Sequence, residues 1–339
     1  MPKPIVVMKF GGTSVAEAEG RAAAIRRIRR VQDEGCAAVV VVSAMGRRGQ
    51  PYATDTLLSL APEGDAAGRD LLMSCGETIS ACVMASDLLE HGVRAVPMSG
   101  ADARIRTDGA FGRAEITGMD VSAVAALLEE DAVPVITGFQ GLGPDGRVTT
   151  LGRGGSDTSA VEIAGYLGAR EALIFTDVPG VAVCDPRVVP EAPYLQRLDS
   201  RDIGLLAEYG AKVIHPRAVA AGQKHRVPIR VLSTFDERPG TEICELPDPP
   251  RGLVGIAMLR SCAVGRNRTM NALACGDRWA VPGSGETTLI SALRRPLAEE
   301  RAGAVAGLGE TTRTGRLLQL LVPDRAADQA ARCVYDILK

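Results

Sequence analysis

Residues 5–32 read IVVMKFGGTSVAEAEGRAAAIRRIRRVQ. Ile5–Met8 is a short apolar, β-branched run, Gly11 and Gly12 follow at once, and from about Val15 to Gln32 apolar residues recur at helical spacing. The alternation of strand and helix continues along the chain. Ala37–Val42, Ala95–Met98, Val133–Ile136, Leu173–Phe175 and Ile229–Leu232 read as strands; Leu71–Glu90, Val121–Glu130, Ser156–Leu167 and Ile203–Ala211 read as helices. This order predicts an α/β fold, a mainly parallel sheet sandwiched by helices, with ligands held beyond the carboxyl ends of the strands.

The pattern breaks near Cys244–Gly252, where ELPDPPRG places three prolines and a glycine in eight residues. Such a stretch predicts a linker over 246–253, between a first domain at 1–245 and a smaller α+β unit at 254–339. Within the smaller unit Thr288–Glu300 and Ala326–Leu338 read as helices and Leu317–Val322 as a strand.

Composition narrows the function. The 339 residues carry 39 Lys and Arg against 41 Asp and Glu, a formal charge of −2, which gives no footing for a nucleic-acid or polybasic membrane partner. No apolar run approaches the roughly 20 residues that span a bilayer. The eight cysteines form no CxxC pair and read as free thiols, so a cytoplasmic location is expected. His91, His215 and His225 lack ligand spacing, and no metal site is expected from protein ligands alone.

Four loops carry chemistry. Lys9-Phe10-Gly11-Gly12-Thr13-Ser14 joins the first strand to the first helix; its glycines let backbone N–H groups approach a ligand, and Lys9 adds a charge suited to phosphate. A plain strand-to-helix turn is the alternative. Leu151-Gly152-Arg153-Gly154-Gly155-Ser156-Asp157 opens another helix. Arg153 offers a planar fork for a carboxylate or phosphate, and Asp157 could orient Lys9; alternatively Ser156 and Asp157 only cap the helix. Ser74-Cys75-Gly76-Glu77 places a carboxylate where a substrate ammonium could bind, or where it merely complements a helix dipole. Thr176-Asp177-Val178-Pro179-Gly180, leading to Asp185-Pro186-Arg187, could hold a nucleotide or be an ordinary turn.

Taken in order, KFGGTSV, SAMGRRGQPYATDTLLSL, LLMSCGETIS, ITGFQG, TLGRGGSDTSA, FTDVPGVAVCDPRVV, GAKVIHPRAV and PGTEI resemble the aspartokinases of the amino-acid kinase family from about residue 4 to residue 243. The resemblance implies transfer of the γ-phosphoryl group of ATP, with Mg2+, to the β-carboxylate of L-aspartate. It implies Lys9, Gly11, Gly12 and Thr13 at the phosphates, and Asp157 organising the lysines. Thr54, Glu77, Arg153 and Ser156 would bind aspartate, Glu77 taking the ammonium and Arg153 the α-carboxylate. Thr176, Asp177, Ala182, Asp185, Arg187, Lys212 and Val213 would form the nucleotide site. The resemblance also implies a homodimer formed through the C-terminal region. That region is expected to be one shortened ACT-like unit, with weak feedback by lysine or threonine. Two departures stand out: Arg104 where a glycine is usual, which keeps a different acidic substrate in view, and Ala182 where a tyrosine or methionine is common. A non-catalytic partner of an active kinase is the reading from another class.

Overall fold

The computed structural model describes residues 2–211, 213–265, 273–275, 278–283 and 285–339. The chain forms two compact units, Met1–Pro179 with Arg217–Cys244, and Gly180–Pro216 with Glu245–Lys339. The sequence expectation assigned 180–216 to the N-terminal domain; its packing is instead with the C-terminal residues, so the chain passes between units three times.

The first unit is built on the expected sheet. Its strands lie in the order Thr241–Cys244, Ile229–Ser233, Glu171–Thr176, Ile5–Phe10, Ala37–Val42, Val133–Thr137, Ala95–Met98, all parallel except the antiparallel Thr241–Cys244. Ile5–Phe10 sits centrally and is covered on both faces, which is why it reads as an unbroken apolar run. Val6, Met8 and Phe10 point into a core shared with Ala24 and Ile28 of helix Ala18–Asp33 and Met84 and Leu88 of helix Ala66–Glu90. Phe10 stacks on Phe175 with ring centroids 4.8 Å apart. Alternation along the strand turns Lys9 to the opposite face, beneath helix Gly155–Tyr166. A smaller sheet, in the order Ile116–Met119, Ile105–Thr107, Gln140–Leu142, Val148–Thr150, was not foreseen.

Helix Ala66–Glu90 runs 25 residues from an Asp65 cap whose carboxylate accepts the Gly68 N–H at 2.7 Å. Among the described residues it alone is long and apolar enough, by length and composition, to cross a membrane. This corrects the expectation that no segment approached that length. Here one side of it lies in the apolar core, and Asp70, Ser74, Glu77 and Ser80 along it are buried polar groups.

In the second unit, strands Gly252–Gly265, Thr287–Arg295, Leu317–Pro323 and Glu310–Thr314 lie side by side, antiparallel, and a hairpin of Leu273–Cys275 and Arg278–Val281 extends the edge. Helices Glu299–Ala306 and Ala327–Leu338 accompany it. Thr288–Glu300, read from the sequence as a helix, is mostly strand. Its period is two: Ile290 and Ala292 join the core of Leu318, Leu320, Ala331 and Val334, while Leu289 joins Cys262 and Leu321 on the other face. Burial on both faces hides the polar alternation that would have marked a strand. The inserted segment 180–216 contributes Val183 and Val189 to the same core, and Ile256 N–H donates to the Val183 carbonyl at 2.7 Å.

Asp202, on helix Ser200–Glu208 and 1% exposed, accepts from Arg295 Nε at 3.0 Å and lies 2.9 Å from a guanidinium nitrogen of Arg316. Removing a buried carboxylate strands its cations. Asp202→Ala should therefore cost about 3 kcal/mol in the second unit. Trp279, the lone tryptophan of the sequence and a residue of that unit, reports it: the urea midpoint of its fluorescence should fall, and an unchanged midpoint would refute the assignment.

Candidate active site

The loops at the carboxyl ends of strands Ile5–Phe10 and Ala37–Val42 converge with the loop that leads from strand Val148–Thr150 into helix Gly155–Tyr166. Strand Ile5–Phe10 ends in Gly11, whose N–H donates to the Phe175 carbonyl at 3.2 Å, and then enters helix Gly12–Ala16. A Cβ on Gly12 would lie 2.6 Å from the Ala44 carbonyl oxygen and 2.7 Å from that of Gly46. Only glycine permits this approach of the first loop to the loop after Ala37–Val42, and Gly46 N–H closes it by donating to the Gly12 carbonyl at 3.0 Å.

The third loop leads into helix Gly155–Tyr166. Gly154, at φ +68°, forms its left-handed N-terminal boundary, and Asp157 stands in its first turn, where the helix dipole favours a carboxylate. Lys9 reaches it across the sheet face, with Nζ 2.7 Å from Asp157 Oδ1 and both side chains largely buried.

Lys9, Gly12, Thr54, Glu77, Arg153, Ser156 and Asp157 line one cavity of about 570 Å3. Seven residues nominated from the sequence are thus brought together. Gly11 and Thr13 belong to the same loop and short helix but not to the cavity wall. Thr176 donates its hydroxyl to Asp177 Oδ1 at 3.2 Å, and Asp177 pairs at 2.6 Å with Arg47, which does line the cavity. Ala182, Asp185, Arg187 and Val213 fall in the second unit, and Lys212 lies outside the described residues. Asp185 and Arg187 are paired with each other at 2.6 Å; that guanidinium holds the Asp185 carboxyl below its usual range. Arg104 is bound to Asp120 at 2.5 Å and to Ser122 Oγ at 3.1 Å, and takes no part in the cavity lining.

Several residues of the site escaped the sequence reading. Arg47 and Arg48 line the cavity; their signal was the glycine-bearing loop SAMGRRG directly after strand Ala37–Val42. Phe139 sits at φ +71°, a conformation that costs an aromatic residue about 1–3 kcal/mol and tends to mark functional sites. It is held by Ser159 Oγ, which accepts its N–H at 3.0 Å, and by Leu151, whose N–H donates to its carbonyl at 2.8 Å. Nothing in the sequence announces that backbone. Among the described residues no three His, Cys, Asp or Glu side chains gather as a metal cage.

Glu77 is the most perturbed group. It is 2% exposed; Oε1 accepts the Ala44 N–H at 3.0 Å, whereas Oε2 is buried with no hydrogen-bond partner. Burial pushes its carboxyl up to about 8, against the smaller opposing pulls of the Ala44 N–H and the Lys9 charge. In the folded chain Glu77 is therefore mainly protonated below about pH 8, while unfolded it ionises near 4.5. The stability this group contributes is complete below the unfolded value and is lost as pH rises toward 8. Glu77→Gln should match wild type in thermal melts at pH 4.5 and exceed it by roughly 3 °C or more at pH 8.5. A difference independent of pH would show that Glu77 is not titrating there.

Comparison with known proteins bears on what the cavity does. Aspartokinase 1 of Bacillus subtilis is 47% identical over 242 residues, covering 70% of this chain and 60% of that protein. The aspartokinase of Thermus thermophilus is 38% identical over 259 residues, 75% of this chain and 63% of that one. The chain thus spans about three-fifths of the length of the curated relatives it matches. In fold it is similar to the crystal structure of E. coli aspartokinase III in complex with aspartate and ADP, with a TM-score of 0.79 at 22% identity over 98% of this chain and 99% of that one. The amino acid kinase family profile matches residues 4–233, which include every residue lining the cavity, and the chain belongs to that family.

Proposed function

We propose that the chain is an aspartokinase, transferring the γ-phosphoryl group of ATP to the β-carboxylate of L-aspartate. The observation that carries this reading is the meeting, in one cavity, of the Lys9–Asp157 pair, the Arg153 loop and the unpartnered oxygen of Glu77. A small amino acid with a second carboxylate offers each of them a partner. Its ammonium satisfies Glu77, its α-carboxylate takes Arg153, with Thr54 and Ser156 beside it, and its β-carboxylate is left toward Lys9. The names of the relatives and the aspartate and ADP held by E. coli aspartokinase III support the same reading.

Phosphoryl transfer to such an acceptor is a matter of placement and charge. A carboxylate is already nucleophilic, so no general base is required. Lys9 neutralises charge that spreads over the transferring group, and Asp157 keeps its ammonium aimed there. Gly11, Gly12 and Thr13 would serve the phosphates and Thr176 and Asp177 the nucleotide. The nucleotide roles of Ala182, Asp185, Arg187, Lys212 and Val213 rest on the resemblance of their motifs alone. Mg2+ typically binds substrate phosphates with one or two carboxylates. Asp157 is the carboxylate beside Lys9, and it would share the ion with the nucleotide. A cytoplasmic homodimer with an ACT-like C-terminal unit belongs to the same proposal. Arg104 is paired with Asp120 and Ser122 and does not line the cavity, which favours aspartate over another acidic substrate.

The test is aspartate-dependent ADP release with the acyl phosphate trapped as a hydroxamate. Absence of product at millimolar aspartate and MgATP would overturn the proposal. Lys9→Met should lower kcat by about 10²–10³ with little change in aspartate affinity. Arg153→Lys, which loses the fork, should raise the aspartate KM about tenfold or more.

A further inference from the structure

We infer that Asp70, which no sequence motif singled out, is the positioning residue of the aspartate grip, a reading that rests on the roles proposed above for Arg153 and Glu77. Asp70 is 1% exposed on helix Ala66–Glu90, two turns before Glu77 and on the same face. Its Oδ2 accepts the Thr150 N–H at 2.7 Å and the Gly112 N–H at 2.9 Å, and its Oδ1 accepts the Thr150 hydroxyl at 2.8 Å. Thr150 and Gly112 both line the cavity, and Thr150 ends the strand that runs into Arg153. Gly152, at φ +73°, lies so close to Gly112 that a Cβ on it would meet the Gly112 carbonyl oxygen at 2.8 Å. Displacing the Gly112 backbone therefore displaces the loop that carries Arg153.

The loop is also held from its other side. Arg217 donates to the Leu151 and Ala114 carbonyls. A carboxylate thus takes the N–H groups and a guanidinium feeds the C=O groups of the same two backbone segments. The helix face that carries Asp70 also presents the Ser74 carbonyl to Gln140 Nε2 at 3.0 Å and Glu77 to the Ala44 N–H. Helix Ala66–Glu90 therefore links the ammonium side of the cavity to the carboxylate side, and Asp70 is the link to the latter. Asparagine replaces it only in part. Its oxygen would take the two N–H groups and its NH2 would have to donate to a Thr150 hydroxyl turned round to accept, so all three bonds lose the carboxylate's charge.

The test uses the full chain with Asp70→Asn, Thr150→Val, which removes one donor, and Thr150→Ser, which keeps both. Hydrogen exchange in peptides spanning 110–114 and 148–156 should accelerate at least tenfold in Asp70→Asn while Ile5–Phe10 keeps its protection. In kinetics the aspartate KM should rise about tenfold or more with the ATP KM within twofold. Thr150→Val should shift aspartate KM less, and Thr150→Ser should resemble wild type. A purely structural role would move both KM values together or neither, and either result in a folded variant overturns the inference. Should Asp70→Asn fail to fold, Thr150→Val decides on the same split. If wild type makes no aspartyl hydroxamate, the aspartate reading falls, and exchange alone judges Asp70: retained protection at 148–156 would refute its role.

Discussion

The Lys9–Asp157 pair sets the terms for the rest of the first unit. Strand alternation sends Val6, Met8 and Phe10 into apolar packing and leaves Lys9 on the other face, largely buried. An ammonium there without a carboxylate would cost several kcal/mol, and the first turn of helix Gly155–Tyr166 supplies the carboxylate. The pair ties strand and helix together and at the same time exposes one polar edge to the cavity. Around it the cavity gathers four basic side chains, Lys9, Arg47, Arg48 and Arg153, against Asp55, Glu77 and Asp157. With Glu77 held neutral at moderate pH the surplus is positive, which favours anionic ligands.

Helix Ala66–Glu90 answers a related constraint. Its Met84 and Leu88 serve the apolar core, while Asp70, Ser74 and Glu77 repeat along one face at spacings of four and three. Each is buried; Asp70 and Glu77 accept backbone N–H groups from outside the helix, and the Ser74 carbonyl accepts from the Gln140 side chain. Several of its polar residues are thus spent on internal bonds rather than on solvent. That explains how a helix with the length and composition of a membrane span can belong to the wall of a polar cavity.

The sheet was legible because central parallel strands are apolar on both faces, so Ile5–Phe10 and Ala37–Val42 announce themselves as runs. The loop glycines were legible because close backbone approach has few other solutions, as at Gly12. Where burial erased periodicity the reading failed: Thr288–Glu300 shows apolar residues at both strand and helix spacing, and only the sheet it joins selects between them. The attachment of 180–216 to the second unit was equally hidden, since Val183 and Val189 look like any apolar residues until their neighbours are known. Asp70 and Phe139 were missed for a further reason. A buried carboxylate in a helix and a left-handed aromatic are decided by tertiary contacts and leave no local mark.

Burial, charge and helix placement meet at Glu77. A carboxyl kept protonated by burial is a weak partner for an ammonium until its proton leaves, and the cavity supplies three aids to that ionisation: the Ala44 N–H, the Lys9 charge and the ammonium itself. The first two are built in but are outweighed by desolvation; the third arrives only with the ligand. Ionisation of Glu77 and capture of a cationic group are then one coupled event. An acid without an ammonium leaves Glu77 neutral and Oε2 unpaired. On the proposed reading, the same buried oxygen that weakens the fold at high pH would distinguish an amino acid from a simple dicarboxylate.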